Sequence, residues 1–236
     1  MINRGKYQAI DRVVEVANLL GPLADQCVFV GGAATGLLLT DPAIPDVRPT
    51  LDVDVIVELT TKAEFYKLEE ALRAQGFVED IDSGVICRWR HDPIILDVMP
   101  TEPKILGFAN RWYPNAVQHA YERSIGEVRI RFVSPPYFLA TKLEAFHGRG
   151  NGDYMLSHDM EDIIAVLDGR LEIVDDVSDA DEEVLHYLVD QFSSLLDNDD
   201  FLDALPGHLP GDLASQERVP LIVERIKKIV QIMEER

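Results

Sequence analysis

Arg48-Pro-Thr-Leu-Asp-Val-Asp-Val-Ile-Val57 alternates polar and apolar residues and then runs into consecutive β-branched ones. Such side chains favour extended backbone, and a period of two puts Asp52 and Asp54 on one face, with Val53 and Val55 on the other. The stretch reads as a half-buried strand over 50–58. Adjacent anions on such a strand repel each other and lose hydration, so they require a cation or a shared proton. Arg48 and Thr50 share the parity of the acids. The Arg48 guanidinium is placed either to bind an anion bidentately or to pair with these carboxylates.

Upstream, residues 6–20 carry apolar side chains at helical spacing up to Gly21-Pro22, and Cys27-Val-Phe-Val30 reads as a short strand. Gly31-Gly32 follows directly and leads into a buried helix over Ala33–Leu39, so the glycines form a strand-to-helix turn. Backbone N–H groups at such a turn face an anion with no side chain in the way, and Thr35 stands one turn further on with a hydroxyl. Residues 41–46 read as a loop.

Downstream, Thr61-Lys-Ala-Glu64 is a capping box that opens a helix to about Gln75, which Gly76 ends. Strands over 84–90 and 94–99 flank His91-Asp92-Pro93 at hairpin spacing. The second brings a third carboxylate, Asp97, towards Asp52 and Asp54. After a strand at 128–133 the pattern is helical: 135–146, 157–167, 179–197 and 217–235. Gly148-Arg-Gly-Asn-Gly152 lacks the Gly-Lys-Ser/Thr ending of a phosphate loop and reads as a helix stop and hinge. The expected organisation is a mixed α/β core over 1–134 and a helical part over 135–236, an α+β protein.

The net charge of −20 is concentrated in 159–217, where eighteen acids face Arg170 alone. That excludes extended nonspecific DNA binding. The acidic segment reads as a solvated helical surface, with docking of a basic partner as the alternative. Arg88, Arg90, Arg123, Arg129 and Arg131 alternate on strands and read as a solvated sheet face. With neither a long apolar run nor a charged-then-apolar N-terminal signal, a cytoplasmic protein away from membranes is expected. Cys27 and Cys87 lie in apolar runs and read as buried free thiols. The histidines lack zinc-ligand spacing, and no Gly-x-Ser-x-Gly element supports serine hydrolysis.

Converging carboxylates suit Mg²⁺ or Mn²⁺, hard cations that neutralise triphosphate oxygens. Lys142 and Arg149, two helical turns apart, form a basic helix face; Asp159 and Asp162 share a face of the next helix and are candidates to anchor them. The order Val30-Gly-Gly32, Arg48-x-Thr-x-Asp-x-Asp54, Asp97, Lys142-x-x-Ala145, Arg149 and Ser157-x-Asp159-x-x-Asp162 resembles the polymerase-β-like nucleotidyltransferases, in particular the AbiEii/AbiGii-toxin type, over about 27–168. The resemblance implies a nucleotidyltransferase-like mixed sheet flanked by helices, with a helical C-terminal part. It implies that Gly31 and Gly32 hold the triphosphate; by their positions Thr35, Arg48, Thr50, Lys142 and Arg149 are read as further nucleotide-binding residues. Asp52, Asp54 and Asp97 would bind Mg²⁺ (or Mn²⁺), Asp97 doubling as a base. The expected activity is Mg²⁺-dependent transfer of NMP from NTP to RNA or protein by the toxin of a toxin-antitoxin pair, with an antitoxin as partner. Two alternatives are kept: a catalytically idle nucleotide-binding or partner-binding protein of the same fold, and a metal-dependent phosphohydrolase.

Overall fold

The computed structural model describes residues 4–44, 48 and 50–235. Pro45, Asp46 and Pro49, from the expected loop and strand approach, lie outside the described residues. The described residues divide into two compact units, one of residues 4–37, 48 and 50–134, the other of 38–44 and 135–235.

In the first unit the described residues form one mixed sheet of seven strands: β1 (Cys27–Val30), β2 (Asp52–Val57), β3 (Val78–Glu79), β4 (Arg88–His91), β5 (Ile94–Pro100), β6 (Tyr121–Ile125) and β7 (Val128–Phe132). Their order is β3-β4-β5-β2-β1-β7-β6. The acid-bearing strand β2 is central, antiparallel to β1 and parallel to β5. Its sequence explains the position, because Val53, Val55, Ile56 and Val57 are buried. Each such side chain contributes roughly 1.5–3 kcal/mol when removed from water.

Helix α1 (Arg4–Leu20) buries Val13, Val16, Ala17 and Leu20, and α2 (Gly31–Leu38) starts where β1 ends. Helix α3 (Lys62–Ala74) begins with the expected capping box: the Glu64 N–H donates to Thr61 Oγ1 at 3.2 Å, and the Thr61 N–H donates to the Glu64 carboxylate at 3.0 Å. Thr61→Ala is expected to cost about 1 kcal/mol of stability in urea unfolding. An unchanged midpoint would contradict that contribution.

Two strands were not delimited in the sequence: β3 spans two exposed residues, and β6, which carries Arg123, is exposed along most of its length, so neither shows an alternation of burial. Strand β4 begins at Arg88 rather than at 84, because Val85 and Ile86 are exposed and the Arg88 N–H closes a turn onto the Val85 carbonyl at 3.2 Å. Short helices α4 (Pro103–Leu106) and α5 (Tyr113–Gln118) complete this unit.

The second unit is helical: α6 (Pro135–Arg149), α7 (His158–Gly169), α8 (Ile173–Ser178), α9 (Glu182–Leu196), α10 (Asp199–Ala204), α11 (Leu213–Gln216) and α12 (Val219–Glu235). Helix α9 packs against α6 and α12, burying Val184, Leu185, Leu188 and Phe192. Helix α6 continues through Gly148 to Arg149, so the helix stop starts two residues later than the glycine pattern suggests. The segment 38–44 is tied in by the Thr40 and Asp41 N–H groups, which donate to the Gly169 carbonyl at 2.9 and 2.8 Å. Arg218 donates from Nε to Asp168 at 2.7 Å and from Nη2 to Asp41 at 2.6 Å, and Arg170 pairs with Asp176. Part of the acidic segment is thus neutralised internally rather than solvated.

Candidate functional site

The centre of the first unit is the register between β2 and β5. Asp54 lies opposite Asp97, and Asp52 lies on the same face two residues earlier. On the other side Asp54 is paired with Val30, the last residue of β1, and the chain turns there into α2. Gly31 makes that turn with φ +65°. A Cβ at Gly31 would sit 1.9 Å from Asp54 Oδ2, so the glycine backbone and the carboxylate share one small volume. Only a residue without a side chain fits there. The strand-to-helix turn and the acid-bearing strand, read separately in the sequence, therefore meet at Gly31 and Asp54.

Thr35 is buried one turn into α2, and its Oγ1 has no hydrogen-bond partner among the described residues. The Thr50 hydroxyl donates to Asp52 Oδ1 at 2.9 Å, fixing that carboxylate through the shared parity of the strand. Arg48 is half-buried in the same approach.

The cation found against these acids is Arg88. Its Nε donates to Asp97 Oδ1 at 2.8 Å and its Nη2 to Asp97 Oδ2 at 2.7 Å, a bidentate fork, while Nη2 also reaches Asp52 Oδ2 at 3.2 Å. The hydrogen-bonded Asp97 carboxylate raises the Arg88 pKa against the opposing effect of its burial. This corrects the reading of Arg88 as part of a solvated sheet face. The other arginines of that set have separate surroundings: Arg90 pairs with Asp80, Arg129 with Asp25, Arg131 reaches the Val117 carbonyl, and Arg123 lies over Phe132. The signal for Arg88 was present in the hairpin. His91 pairs with Ile94, and counting back from that pair puts Arg88 opposite Asp97.

Among the described residues no group of three His, Cys, Asp or Glu side chains encloses a metal ion as it stands. The donor chemistry of Asp52 and Asp54 nevertheless fits a hard divalent cation: carboxylate oxygens on one strand face, half-buried, with a glycine backbone beside them. Neighbouring Cys87 is buried. Burial, reinforced by the charges of Asp97 and Asp54, pushes its thiol up to about 12.

A second cluster lies within the helical unit. Lys142 is buried, with Nζ 3.1 Å from Asp159 Oδ1 and 2.6 Å from Asp162 Oδ2. Arg149 grips Asp159 with Nε at 2.9 Å and Nη2 at 2.8 Å. Burial alone would raise the Asp159 pKa, but the hydrogen bond from Arg149 and the charges of Lys142 and Arg149 hold it below the usual carboxylate range. The folded protein therefore takes up this proton less readily than the unfolded chain, whose aspartates titrate near roughly 3.9. The resulting stability is complete above that value and is lost as pH falls through the folded pKa. Asp159→Asn is expected to flatten the acid limb of stability below about pH 4, followed by urea unfolding across a pH series. Parallel curves for variant and wild type would contradict the assignment.

No helix among the described residues is long and apolar enough to cross a membrane. No curated protein matches the chain. Among solved structures, an antigenic nucleotidyltransferase-like protein from Paracoccidioides brasiliensis matches at 19% identity and a TM-score of 0.45, covering 82% of this chain and 93% of that one. The family model described as nucleotidyl transferase AbiEii toxin, type IV TA system, matches residues 16–217. Most of the chain is covered, so it belongs to the AbiEii family of nucleotidyl transferase toxins of type IV toxin-antitoxin systems and is by class a nucleotidyltransferase.

Proposed function

We propose that the protein transfers NMP from an NTP to an RNA or protein acceptor, with Asp52 and Asp54 holding a divalent ion and the start of α2 holding the triphosphate. The observation that carries this reading is the close approach of the Asp54 carboxylate to the Gly31 backbone, which brings an acid pair and a helix N-terminus to one point. The first N–H groups of a helix have no intrahelical acceptor and carry the positive end of the helix dipole, so they bind phosphate oxygens. Thr35, with its unpartnered buried hydroxyl, adds a side-chain donor in the same helix. Thr50 orients Asp52. A bound Mg²⁺ supplies neutralisation of phosphate charge and alignment of the leaving pyrophosphate. The chain's own contribution is to orient: the strand fixes the carboxylates, and the glycine turn lets the phosphates approach the backbone.

Within the helical unit, Asp159 and Asp162 hold Lys142 and Arg149 in place. The family's type IV toxin-antitoxin context supports an antitoxin partner. The test is incubation of the purified chain with each NTP, Mg²⁺ and total RNA or total protein, reading pyrophosphate release and the sensitivity of the labelled product to ribonuclease or protease. Nucleotide binding without turnover on any acceptor would favour an idle binding protein. Phosphate release without an acceptor would favour a phosphohydrolase.

A further inference from the structure

Every carboxylate oxygen of Asp97 and Asp52 faces a donor. Both oxygens of Asp97 are taken by the Arg88 fork at 2.8 and 2.7 Å. Asp52 Oδ1 accepts from Thr50 at 2.9 Å, and Asp52 Oδ2 accepts from the same Arg88 Nη2 at the longer distance of 3.2 Å. The two contacts of Arg88 differ in quality. The pair with Asp97 is bidentate, directly cross-strand and largely buried, whereas the Asp52 side chain is 39% exposed and contributes one longer contact. Bidentate guanidinium–carboxylate pairs are the stronger kind, and removing one partner from a buried pair is costly. A divalent cation approaching the acids therefore displaces Arg88 from Asp52 far more easily than from Asp97.

We infer that Asp97 is the anchor of Arg88 rather than a metal ligand or a base, and that Arg88 is a resident counter-cation which the divalent ion displaces from Asp52. This rests on the nucleotidyltransferase reading of Asp52 and Asp54 and reassigns the third acid within it. Arg88 and Asp97 are then positioning residues. They hold Asp52 in place and neutralised while no metal is bound, and after metal entry the guanidinium stays beside the ion on its Asp97 anchor. The metal set contracts to the two carboxylates of β2.

The test is a Mn²⁺ titration without nucleotide, read by electron paramagnetic resonance, on wild type, Asp54→Asn and the double variant Arg88→Met with Asp97→Asn. Losing one exposed-side ion pair on metal entry is worth up to about a fivefold change in affinity, so the double variant is expected to bind Mn²⁺ about twofold to fivefold more tightly than wild type. If Asp97 is a ligand, the double variant instead binds about tenfold more weakly or worse, and the inference is overturned. Wild-type chain that binds no Mn²⁺, or Asp54→Asn that binds as well as wild type, overturns the nucleotidyltransferase metal site itself and the inference with it. A normal Asp54→Asn loss alongside a weakened double variant sinks the inference alone.

A second measurement needs no variant: the Arg88 Nε–H resonance in ¹⁵N-labelled wild-type protein with saturating Mg²⁺. Its protection from solvent exchange is expected to persist, because Nε donates to Asp97. Loss of that protection on adding Mg²⁺ would show that the metal takes Asp97, against the inference.

Discussion

Asp54→Asn is expected to lower NMP transfer by about 10³-fold, the effect of removing several kcal/mol of charge stabilisation from a phosphoryl-transfer transition state. The substitution keeps size and shape and removes only the anion. Asp54 is the acid common to the neighbouring elements: it pairs with Val30 at the end of β1, with Asp97 across β5, and touches Gly31 at the start of α2. Folding should survive, since removing one of two adjacent carboxylates relieves repulsion as well as costing contacts. Pyrophosphate release and thermal unfolding on the same preparation separate the two effects. Activity within about tenfold of wild type would remove Asp54 from the centre of the reaction.

Gly31→Ala has the second largest expected effect, and it acts through geometry rather than charge. A left-handed backbone at φ +65° costs an alanine about 1–2 kcal/mol. Beyond that, the new Cβ would stand 1.9 Å from Asp54 Oδ2 and 2.7 Å from its Cγ, so the carboxylate has to leave its place. Transfer should fall at least about 10²-fold, because displacing a reacting group by an ångström costs that much. Gly84→Ala is the control for the backbone cost alone. Gly84 has φ +70° with nothing within 4 Å of an added Cβ, so that variant should lose a similar amount of backbone stability and keep its activity. Equal activity in the two glycine variants would contradict the close fit of Gly31 and Asp54.

The sequence was most readable where backbone chemistry and side-chain period agree. The β2 alternation, the Thr61–Glu64 capping box and the Gly31 turn each follow from one residue type doing one thing, and each is found in the structure. The edge strands were hidden for the opposite reason: β3 and β6 are exposed, so burial imposes no alternation on them. The acids themselves were legible, but their cation was not. That failure turns on a single residue of register, because reading His91 as part of the turn shifts Arg88 away from Asp97, whereas the observed His91–Ile94 pair brings them face to face. A strand slipped by one residue exchanges its two faces, so a small error in a turn decides whether an arginine is solvent-facing or part of the site.

The helical unit shows the same limit. Spacing put Lys142 and Arg149 on one face of α6, and Asp159 and Asp162 on one face of α7. The burial of Lys142, Asp159 and Asp162 and the sharing of Asp159 between two cations depend on packing that helical period alone does not specify.

The position of the label in the nucleotide decides whether the reaction is nucleotidyl transfer. Wild-type protein with Mg²⁺ and α-³²P-labelled NTP is expected to label an acceptor, γ-³²P-labelled NTP is expected to leave its label in pyrophosphate, and Asp54→Asn is expected to do neither. Transfer of the γ label to the acceptor, or release of phosphate with no acceptor labelled by any NTP, would contradict the account.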